Sequence, residues 1–386
     1  MSILLPVLTN SAMSTYRRCQ REHQISYVRG YRPVAHGAAL RFGSAWHLGL
    51  EMLWLGGELA EAEEAACAAV DDPYEAAKLR ALLRGYAARW GDDVYDVVSV
   101  EQEFTSPLVN PETSAASRTF RLGGKLDVLI RDGIVEHKTT SADIGFGSPY
   151  WQRLTMDGQV STYFAGARAL GVEPTRCIYD VVKKPALRPS QMAELDGDNI
   201  KIVRDANGAR VRTKPGQKWA DKALDARDVV ARNFERPDLV DQRLAEMERA
   251  QAAKGGYWRQ TGDADLGYVL QTRPETPDEY ESRLVEDIAS NPDRYYQRGE
   301  VVRLESEERE HALDVWLLAQ SMRDSARLGI SPRNPDACHR YNSMCPYFGV
   351  CTGTESLDDG SKFVRLENVN AELSAEITPT HGKGKQ

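Results

Sequence analysis

Two apolar segments joined by a tight turn constrain the fold of this chain more than any other feature. The segments 118–131 and 134–138 flank Asp132-Gly133, a dipeptide typical of two-residue turns between antiparallel strands. The residues on both faces of these segments are largely apolar, which indicates a central strand pair covered by other elements. The sequence therefore predicts a buried β-hairpin.

Three charged residues lie within this hairpin, and their faces follow from its turn. If the turn consists of that dipeptide, Asp127 lies opposite Lys138, and Glu136 lies two residues away on the same face. Asp127 and Glu136 are then diagonal neighbours, about 7–8 Å apart at the backbone, where two carboxylates can bind one ion. A shift of the register by one residue would move the charges to the other face.

These residue types suit the hydrolysis of a phosphodiester bond. Carboxylate oxygens hold Mg²⁺ or Mn²⁺, which polarises the phosphoryl oxygen and lowers the pKa of a bound water. A lysine beside the ion can orient or deprotonate that water and stabilise charge in the transition state. The alternative is a surface hairpin in which Asp127 and Lys138 form an ion pair of little energetic value. The apolar surroundings favour the metal site, because buried acidic residues need partners or a metal.

The composition is that of a globular protein, and we expect a cytoplasmic location (the host cytoplasm if the chain is phage-encoded). The 386 residues are 41% hydrophobic and 27% charged; a net charge of −8 disfavours a protein that coats nucleic acid but permits a local basic groove. There is no apolar stretch of about eighteen residues and no basic segment before the short apolar N-terminal run, so no membrane partner is expected. Three of the six cysteines lie close together near the C-terminus, which indicates metal binding in an intracellular protein: Cys338, Cys345 and Cys351.

An ordered series of motifs resembles the PD-(D/E)XK nuclease superfamily, and within it the RecB-like exonuclease branch that includes CRISPR-associated and phage-encoded members. The motifs are similar to the family's upstream histidine helix, its G-x-x-D strand, its E-x-K strand and its Q-x-x-x-Y helix. In this chain they read Gly43-Ser44-Ala45-Trp46-His47, Gly124-Lys125-Leu126-Asp127, Glu136-His137-Lys138 and Gln159-Val160-Ser161-Thr162-Tyr163. The resemblance covers residues 11–183 and 304–353.

This resemblance implies an α/β (α+β) fold with a restriction-endonuclease-like core, in which helices flank a mixed central sheet. Helical periodicity before the hairpin and a polar, irregular stretch after residue 185 complete the predicted organisation. The predicted parts are an N-terminal helical segment at 1–93, the nuclease core at 94–185, a largely helical insertion at 186–303, a C-terminal helix with the cysteine segment at 304–354, and a flexible tail at 355–386.

The resemblance also implies catalytic roles. His47, Asp127 and Glu136 would hold Mg²⁺ or Mn²⁺, and Lys138 would lie beside the attacking water. Outside this series, His47 on its apolar helix would be interpreted as a core histidine. Two acidic residues on the preceding strand either support these ligands or are surface charge: Glu101 and Glu103.

Contacts to DNA are implied for a second set of residues. Gln159 and Tyr163 are four residues apart, so they share one helix face and can contact one DNA strand. Arg17 and Arg18 form a local basic patch that is a further candidate DNA contact. The alternatives are that Tyr163 belongs to the core and that Gln159 and the arginines are surface residues.

Members of this branch bind a [4Fe-4S] cluster through one N-terminal and three C-terminal cysteines. The resemblance implies the ligands Cys19, Cys338, Cys345 and Cys351, and the cluster would close the two ends of the chain around the core. Thiolates also suit zinc, which is the alternative metal. The chain departs from many family members because six residues separate the first two C-terminal cysteines. The two remaining cysteines are expected to be free thiols: Cys67 and Cys177.

The sequence thus predicts a metal-dependent DNA exonuclease that hydrolyses phosphodiester bonds on single strands or DNA ends. Its expected setting is phage or bacterial recombination, repair or DNA processing, with DNA and recombination or CRISPR-type proteins as partners. One alternative is a catalytically silent DNA-binding or recombination partner that retains the nuclease fold; the complete Asp/Glu/Lys set weighs against it. An all-α, cysteine-ligated scaffold conflicts with the strand-rich stretch at 94–139.

Overall fold

The computed structural model describes residues 5–34, 38–195, 197, 203–205, 210–211, 257–260, 267–270, 272–340 and 343–374. The chain divides into two units. The larger unit comprises Met1–Pro185 and Val285–Gln386, and the smaller unit comprises Ala186–Leu284. The hairpin and both cysteine-bearing ends belong to the larger unit.

The strands of the larger unit lie on either side of the smaller unit in the sequence. In chain order, all strands are β1 (Val7–Leu8), β2 (Tyr31–Pro33), β3 (Val97–Val109), β4 (Ala116–Ile130), β5 (Gly133–Thr140), β6 (Arg176–Lys183), β7 (Gln191–Ala193), β8 (Val203–Asp205), β9 (Arg210–Val211), β10 (Tyr257–Gln260), β11 (Gly267–Leu270), β12 (Thr272–Pro274), β13 (Tyr296–Val301), β14 (His339–Arg340), β15 (Ser343–Met344) and β16 (Phe363–Arg365).

The helices concentrate before β3 and after β5. They are α1 (Asn10–Arg18), α2 (Gln20–His23), α3 (Ala38–Trp54), α4 (Leu59–Ala68), α5 (Pro73–Trp90), α6 (Pro149–Gln152), α7 (Gly158–Ala169), α8 (Pro277–Ser290), α9 (Pro292–Tyr295), α10 (Glu305–Leu328) and α11 (Phe348–Thr352), with a π-helical turn at Gln24–Val28 and 3₁₀ turns at Arg153–Met156 and Pro335–Ala337. Within the described part of the chain, no helix is long and apolar enough to cross a membrane.

A mixed sheet of six strands forms the centre of the larger unit. Successive neighbours are β1, β4, β5, β6 and β13, and β3 also pairs with β4. The β3–β4, β4–β5 and β6–β13 pairs are antiparallel, whereas β1–β4 and β5–β6 are parallel. The prediction of a mixed central sheet is confirmed.

The predicted hairpin is present, but its turn lies one residue earlier than expected. Gly133 pairs with Ile130, so the two-residue turn consists of Arg131 and Asp132. The prediction that Asp132 and Gly133 form the turn is therefore wrong. Gly133 is needed for a different reason: a Cβ atom there would collide with the backbone of Arg176 on the parallel neighbour β6.

Helices cover both faces of this sheet. Ile134 of β5 packs with Phe164 of α7, whereas the next residue, Val135, packs with Trp54 of α3. Because successive side chains of a strand point to opposite faces, α3 and α7 lie on opposite sides of the sheet. Helix α3 contacts α4 and α5, and α7 contacts α10. The predicted arrangement of helices flanking the sheet is confirmed.

The segment after the cysteines packs against the N-terminal part of the chain. Strand β16 pairs with β2, and the ring of Phe363 stacks on that of Tyr347 with centroids 5.8 Å apart. The prediction of a flexible tail beginning at 355 is therefore wrong for residues 355–374. Buried Leu357, Phe363 and Leu373 are spaced too widely in a polar segment to form a periodic pattern. Residues 375–386 lie outside the described residues.

The smaller unit differs from the predicted insertion in extent and in content. It ends at Leu284, so the predicted boundary at 303 is wrong: β13 extends the central sheet beside β6. Its described residues include a sheet in the order β10-β11-β8-β9 and a β12–β7 pair, which the prediction of a largely helical insertion did not anticipate. These strands have two to four residues, too few to show alternation. The helical patches predicted at 218–250 lie outside the described residues.

Candidate metal centre

The edge of β4 opposite β3 is divided between two strands. Strand β1 pairs with residues 121–122, and β5 pairs with residues 128–130. Residues 123–127 lie between these two ladders, and Asp127 occupies the last position of the interval. Its Oδ2 accepts a 2.7 Å hydrogen bond from the backbone N–H of His137. Asp127 is thus fixed where the ladder between β4 and β5 ends.

Helix α3 brings a histidine to this aspartate. Nδ1 of His47 lies 3.4 Å from Oδ1 of Asp127. One helical turn earlier, a Cβ atom on Gly43 would lie 3.3 Å from Oγ1 of Thr139, so glycine permits the close approach of α3 to β5. A third residue joins them: one ligand atom from each of His47, Glu101 and Asp127 lies within 4.8 Å of the other two.

Glu101 reaches this group from β3 through an unusual backbone conformation. Its φ is +51°, in the left-handed region that non-glycine residues rarely adopt, and it lies across from Asp127 in the β3–β4 register. Such a conformation costs about 1–3 kcal/mol and persists where the surrounding structure imposes it, often at functional sites. Nζ of Lys125 lies 2.5 Å from the Glu101 carboxylate. The sequence left Glu101 open between support and surface charge; the structure places it beside Asp127.

Glu136 and Lys138 lie next to this group. Glu136 is 2% exposed and forms an ion pair with Lys138. Nε2 of Gln159, on α7, donates a 2.9 Å hydrogen bond to Oε1 of Glu136 and lies 2.7 Å from the Tyr163 hydroxyl oxygen. Gln159 therefore contacts the E-x-K strand directly, whereas buried Tyr163 is linked to it through Gln159.

The charges of the centre shift pKa values in opposite directions. Burial opposes ionisation of Asp127, but the charge of His47 and its hydrogen bond outweigh burial and lower the pKa of Asp127. Burial raises the pKa of Glu136, and the negative charge of Asp127 adds to this effect. Burial disfavours protonated Lys138 and His47, yet the neighbouring carboxylates raise the pKa of both. Two carboxylates with opposed shifts in one buried site are typical of a functional centre.

The donor set fits a small divalent cation. Glu101 and Asp127 supply carboxylate oxygens, which suit Mg²⁺ or Mn²⁺. His47 adds an imidazole nitrogen, a softer ligand that favours a transition metal such as Mn²⁺ over Mg²⁺. Oε2 of Glu136 is buried and has no hydrogen-bond partner among the described residues. A buried carboxylate oxygen without a partner is costly, and a cation would satisfy it.

A polar network lies on the α3 side of the sheet, behind the E-x-K strand. The His137 Nδ1 is 3.3 Å from Oδ2 of Asp180, which also contacts Arg298 at 3.2 Å and accepts a hydrogen bond from Tyr86. Although burial acts to raise it, the hydrogen bond of His137 and the charge of Arg298 lower the pKa of Asp180. The sequence analysis missed this network, since Asp180 and Arg298 are 118 residues apart in separate strands.

The structure brings together the four cysteines predicted to share a metal site. Cys19 lies between α1 and α2, where the backbone is extended with φ −158° and ψ 114°. A single small cavity has the four cysteines in its lining, together with Glu22 and Arg333: Cys19, Cys338, Cys345 and Cys351. The backbone N–H of Cys345 donates a 2.7 Å hydrogen bond to the carbonyl of Cys338, and the pairing of β14 with β15 brings the two ends of the long gap between these cysteines together. Cys177 is buried in the core, apart from this cavity.

The two arginines proposed for DNA contact have different surroundings. Arg18 donates two hydrogen bonds to the carboxylate of Glu22, at 3.0 and 2.5 Å, and its charge is therefore used within the protein. Arg17 is exposed in the last turn of α1.

The sequence profile of the PD-(D/E)XK nuclease superfamily matches residues 7–352, from β1 to the end of the cysteine segment. The chain belongs to this superfamily. Membership, together with the mixed sheet and its flanking helices, confirms the restriction-endonuclease-like fold, and it implies a nuclease that hydrolyses phosphodiester bonds with a divalent metal. No curated protein sequence matches the chain.

Proposed function

We propose that this protein is a metal-dependent DNA exonuclease that acts on single strands or DNA ends. The observation that carries the proposal is the convergence of His47, Glu101 and Asp127 within 4.8 Å, next to the Glu136–Lys138 ion pair. The preference for ends, and the setting of phage or bacterial recombination, repair or DNA processing with recombination or CRISPR-type partners, rest on the resemblance of the motif series to the RecB-like branch.

In this proposal His47, Asp127 and Glu136 hold the metal, as the sequence predicts, and Glu101 is added to them. Bound Mg²⁺ or Mn²⁺ would polarise the phosphoryl group and lower the pKa of a bound water. The backbone N–H of His137 donates a hydrogen bond to Oδ2 of Asp127, and the side-chain amide of Gln159 donates one to Oε1 of Glu136. One oxygen of each carboxylate therefore remains for the ion.

Lys138 is the residue proposed to act on the reacting atoms. Its half-buried side chain is paired with Glu136, so its charge is held beside a carboxylate that is proposed to bind the metal. A fixed positive charge in a water-poor site stabilises negative charge that develops in the transition state. Gln159 and exposed Arg17 are proposed to contact the DNA strand. Tyr163 is buried in the core and Arg18 is paired with Glu22, which does not support a DNA contact for either residue.

The test is a cleavage assay with end-labelled single-stranded, duplex and circular DNA in Mg²⁺ or Mn²⁺. We expect mononucleotides or short products from linear DNA, resistance of circular DNA, and loss of activity in Glu136→Gln and Lys138→Ala. The matched control is Glu103→Gln, since Glu103 is on the same strand as Glu101 but binds Ser374 instead. The proposal is abandoned if intact protein cleaves no DNA with either metal, or if Glu136→Gln cleaves as well as the wild type. DNA binding without cleavage, unchanged in Asp127→Ala, would favour the silent partner protein.

We further propose that Cys19, Cys338, Cys345 and Cys351 bind a [4Fe-4S] cluster that closes the fold. The four cysteines line one small cavity, so their thiolates can converge on one metal group. Thiolates suit zinc as well as iron–sulfur clusters, and zinc is the alternative. Iron and zinc analysis of anaerobically purified protein tests this, with Cys177→Ser as the control for Cys345→Ser. Zinc without iron would refute the cluster.

A further inference from the structure

A second site is suggested by a cavity of about 420 Å³ in the larger unit, separate from the metal centre. It lies between the C-terminal ends of α3 and α5 and the start of β3. Its lining includes four aromatic residues and one arginine: Trp54, Tyr86, Trp90, Tyr95 and Arg298. The volume lies within the range of small-molecule sites, roughly 300–1,000 Å³.

The guanidinium group of Arg298 lies against the aromatic rings, so flat groups make up much of the lining. The guanidinium carbon of Arg298 is 4.3 Å from the ring centroid of Trp90 and 5.6 Å from that of Tyr95. Asp180 and Asp93 neutralise its charge at 3.2 and 2.6 Å. A neutralised guanidinium among aromatic rings is a poor anion site, but it stacks well with flat heterocycles.

The lining also contains hydrogen-bonding groups. The carboxylate of Asp93, whose side chain is 42% exposed, supplies an acceptor. The hydroxyl of Tyr95 accepts a 3.2 Å hydrogen bond from Arg298 and is a second polar group of the lining. A ligand that fits has a flat face and polar groups on its edge, as nucleobases do.

The cavity lies within reach of a strand bound at the metal centre. Trp54 follows His47 by seven residues on α3, a rise of about 10.5 Å. Val97, also in the lining, precedes Glu101 by four residues on β3, a rise of about 13 Å. This distance corresponds to roughly three or four stacked nucleotides at 3.4 Å each.

We propose that this cavity binds a nucleobase. The base belongs either to a DNA strand whose backbone enters the metal centre or to a free nucleotide released by cleavage. The choice of a nucleobase rests on the proposed nuclease function, whereas the aromatic lining and its polar groups are features of the cavity itself.

The test measures binding of full-length protein in EDTA, where cleavage does not occur. A labelled oligothymidylate, the same oligonucleotide with abasic positions, and thymidine monophosphate are the probes. We expect Trp90→Ala to weaken binding of the intact oligonucleotide or the mononucleotide by roughly 5- to 150-fold, the effect of losing one base–aromatic stack. Trp90→Phe keeps the stack and should retain most of the affinity.

A pair of rim variants keeps the test informative if Trp90→Ala does not fold. Val94 lines the cavity and is 94% exposed, so Val94→Asp and Val94→Lys leave the core unchanged. The aspartate should weaken binding and the lysine strengthen it, since both probes carry phosphate.

The outcomes separate the two sources and the two proposals. Lower affinity for the abasic oligonucleotide in the wild type and in Trp90→Phe, but not in Trp90→Ala, identifies a base of the strand. Binding of the mononucleotide with no effect of abasic positions identifies the free nucleotide. Wild-type affinity of folded Trp90→Ala and of both Val94 variants for the intact oligonucleotide and the mononucleotide would overturn the inference. This binding is measured without cleavage, so it stands or falls independently of the Glu136→Gln result.

Discussion

The backbone N–H of His137 donates a hydrogen bond to the Asp127 carboxylate at the position where β4 and β5 stop pairing. The last backbone pair of this ladder is Val128 with Val135, and the next residue of β4, Asp127, bonds to β5 through its side chain. His137 lies between Glu136 and Lys138 in sequence. One bond therefore fixes the position of Asp127 relative to both other charged residues of the motif.

Glu101→Gln should weaken metal binding, because it removes a charged oxygen ligand from the group around Asp127. We expect the Mg²⁺ concentration at half-maximal activity to rise by about 10- to 100-fold, the effect usual for residues that shape a metal site. The measurement is a Mg²⁺ titration of cleavage rate. Glu103→Gln, two residues away on β3, should titrate like the wild type; equal shifts in both variants would contradict a role specific to Glu101.

The stability of the metal-free protein should fall as pH rises toward neutrality because of Glu136. Its pKa is raised from the usual 4.5 to about 7 in the folded state, mainly by burial, so the folded state binds more protons than the unfolded state between these values. The stabilising contribution is complete below pH 4.5 and is lost as pH passes about 7. Thermal unfolding in EDTA across this range measures it.

Glu136→Gln is the control for this pH dependence, since glutamine does not titrate. The variant should unfold at a temperature that changes less between pH 5 and 8 than in the wild type. Added Mg²⁺ should stabilise the wild type more at pH 8 than at pH 5.5, and should do less for the variant. Parallel curves for the two proteins would show that another group is responsible.

Asp180→Asn should destabilise the fold and reduce activity. The substitution leaves Arg298, whose side chain is 11% exposed, with only Asp93 to balance its charge. Removing one member of a buried pair costs about 3 kcal/mol. Urea unfolding should show this loss. Adding Arg298→Met should recover much of the stability, because no buried charge then lacks a partner; no recovery would indicate that Asp180 acts mainly through His137.

Gly166→Ala should also destabilise the protein, although alanine favours helices. A Cβ atom there would lie about 2.5 Å from the Phe104 ring, between α7 and the sheet. Overpacking of this kind costs about 1–3 kcal/mol, which exceeds the helix-propensity gain of about 1 kcal/mol. Urea unfolding measures the change. Combining it with Phe104→Leu should relieve the contact, so the two substitutions together should cost less than their sum.

The sequence predicted the strands of the core more accurately than the register and the backbone conformation that bring the metal ligands together. Apolar residues on both faces and the turn dipeptide located β4 and β5, yet the register was misplaced because Gly133 serves the contact with β6 and not the turn. No local pattern marks Glu101, since its left-handed backbone and its position opposite Asp127 arise from the pairing of β3 with β4. A left-handed residue would have been expected at glycine or asparagine.

Pairing between residues that are distant in the sequence also explains other features that the sequence did not predict. Strand β13 joins the sheet from beyond the smaller unit, and the pairing of β16 with β2 orders a segment that is mostly polar. In the sequence Asp180 is a polar residue within an apolar strand, and its partners Arg298 and His137 come from two other strands.

The hydrogen bond from Asn370 Nδ2 to the carbonyl of Val7 joins positions 363 residues apart. Val7 belongs to β1, which occupies the part of the β4 edge not taken by the hairpin. Strand β1 is therefore secured by a segment that is synthesised 363 residues later. A growing chain carries every ligand of the metal group well before this edge can be locked, so full assembly of the nuclease core should follow the synthesis of residue 370.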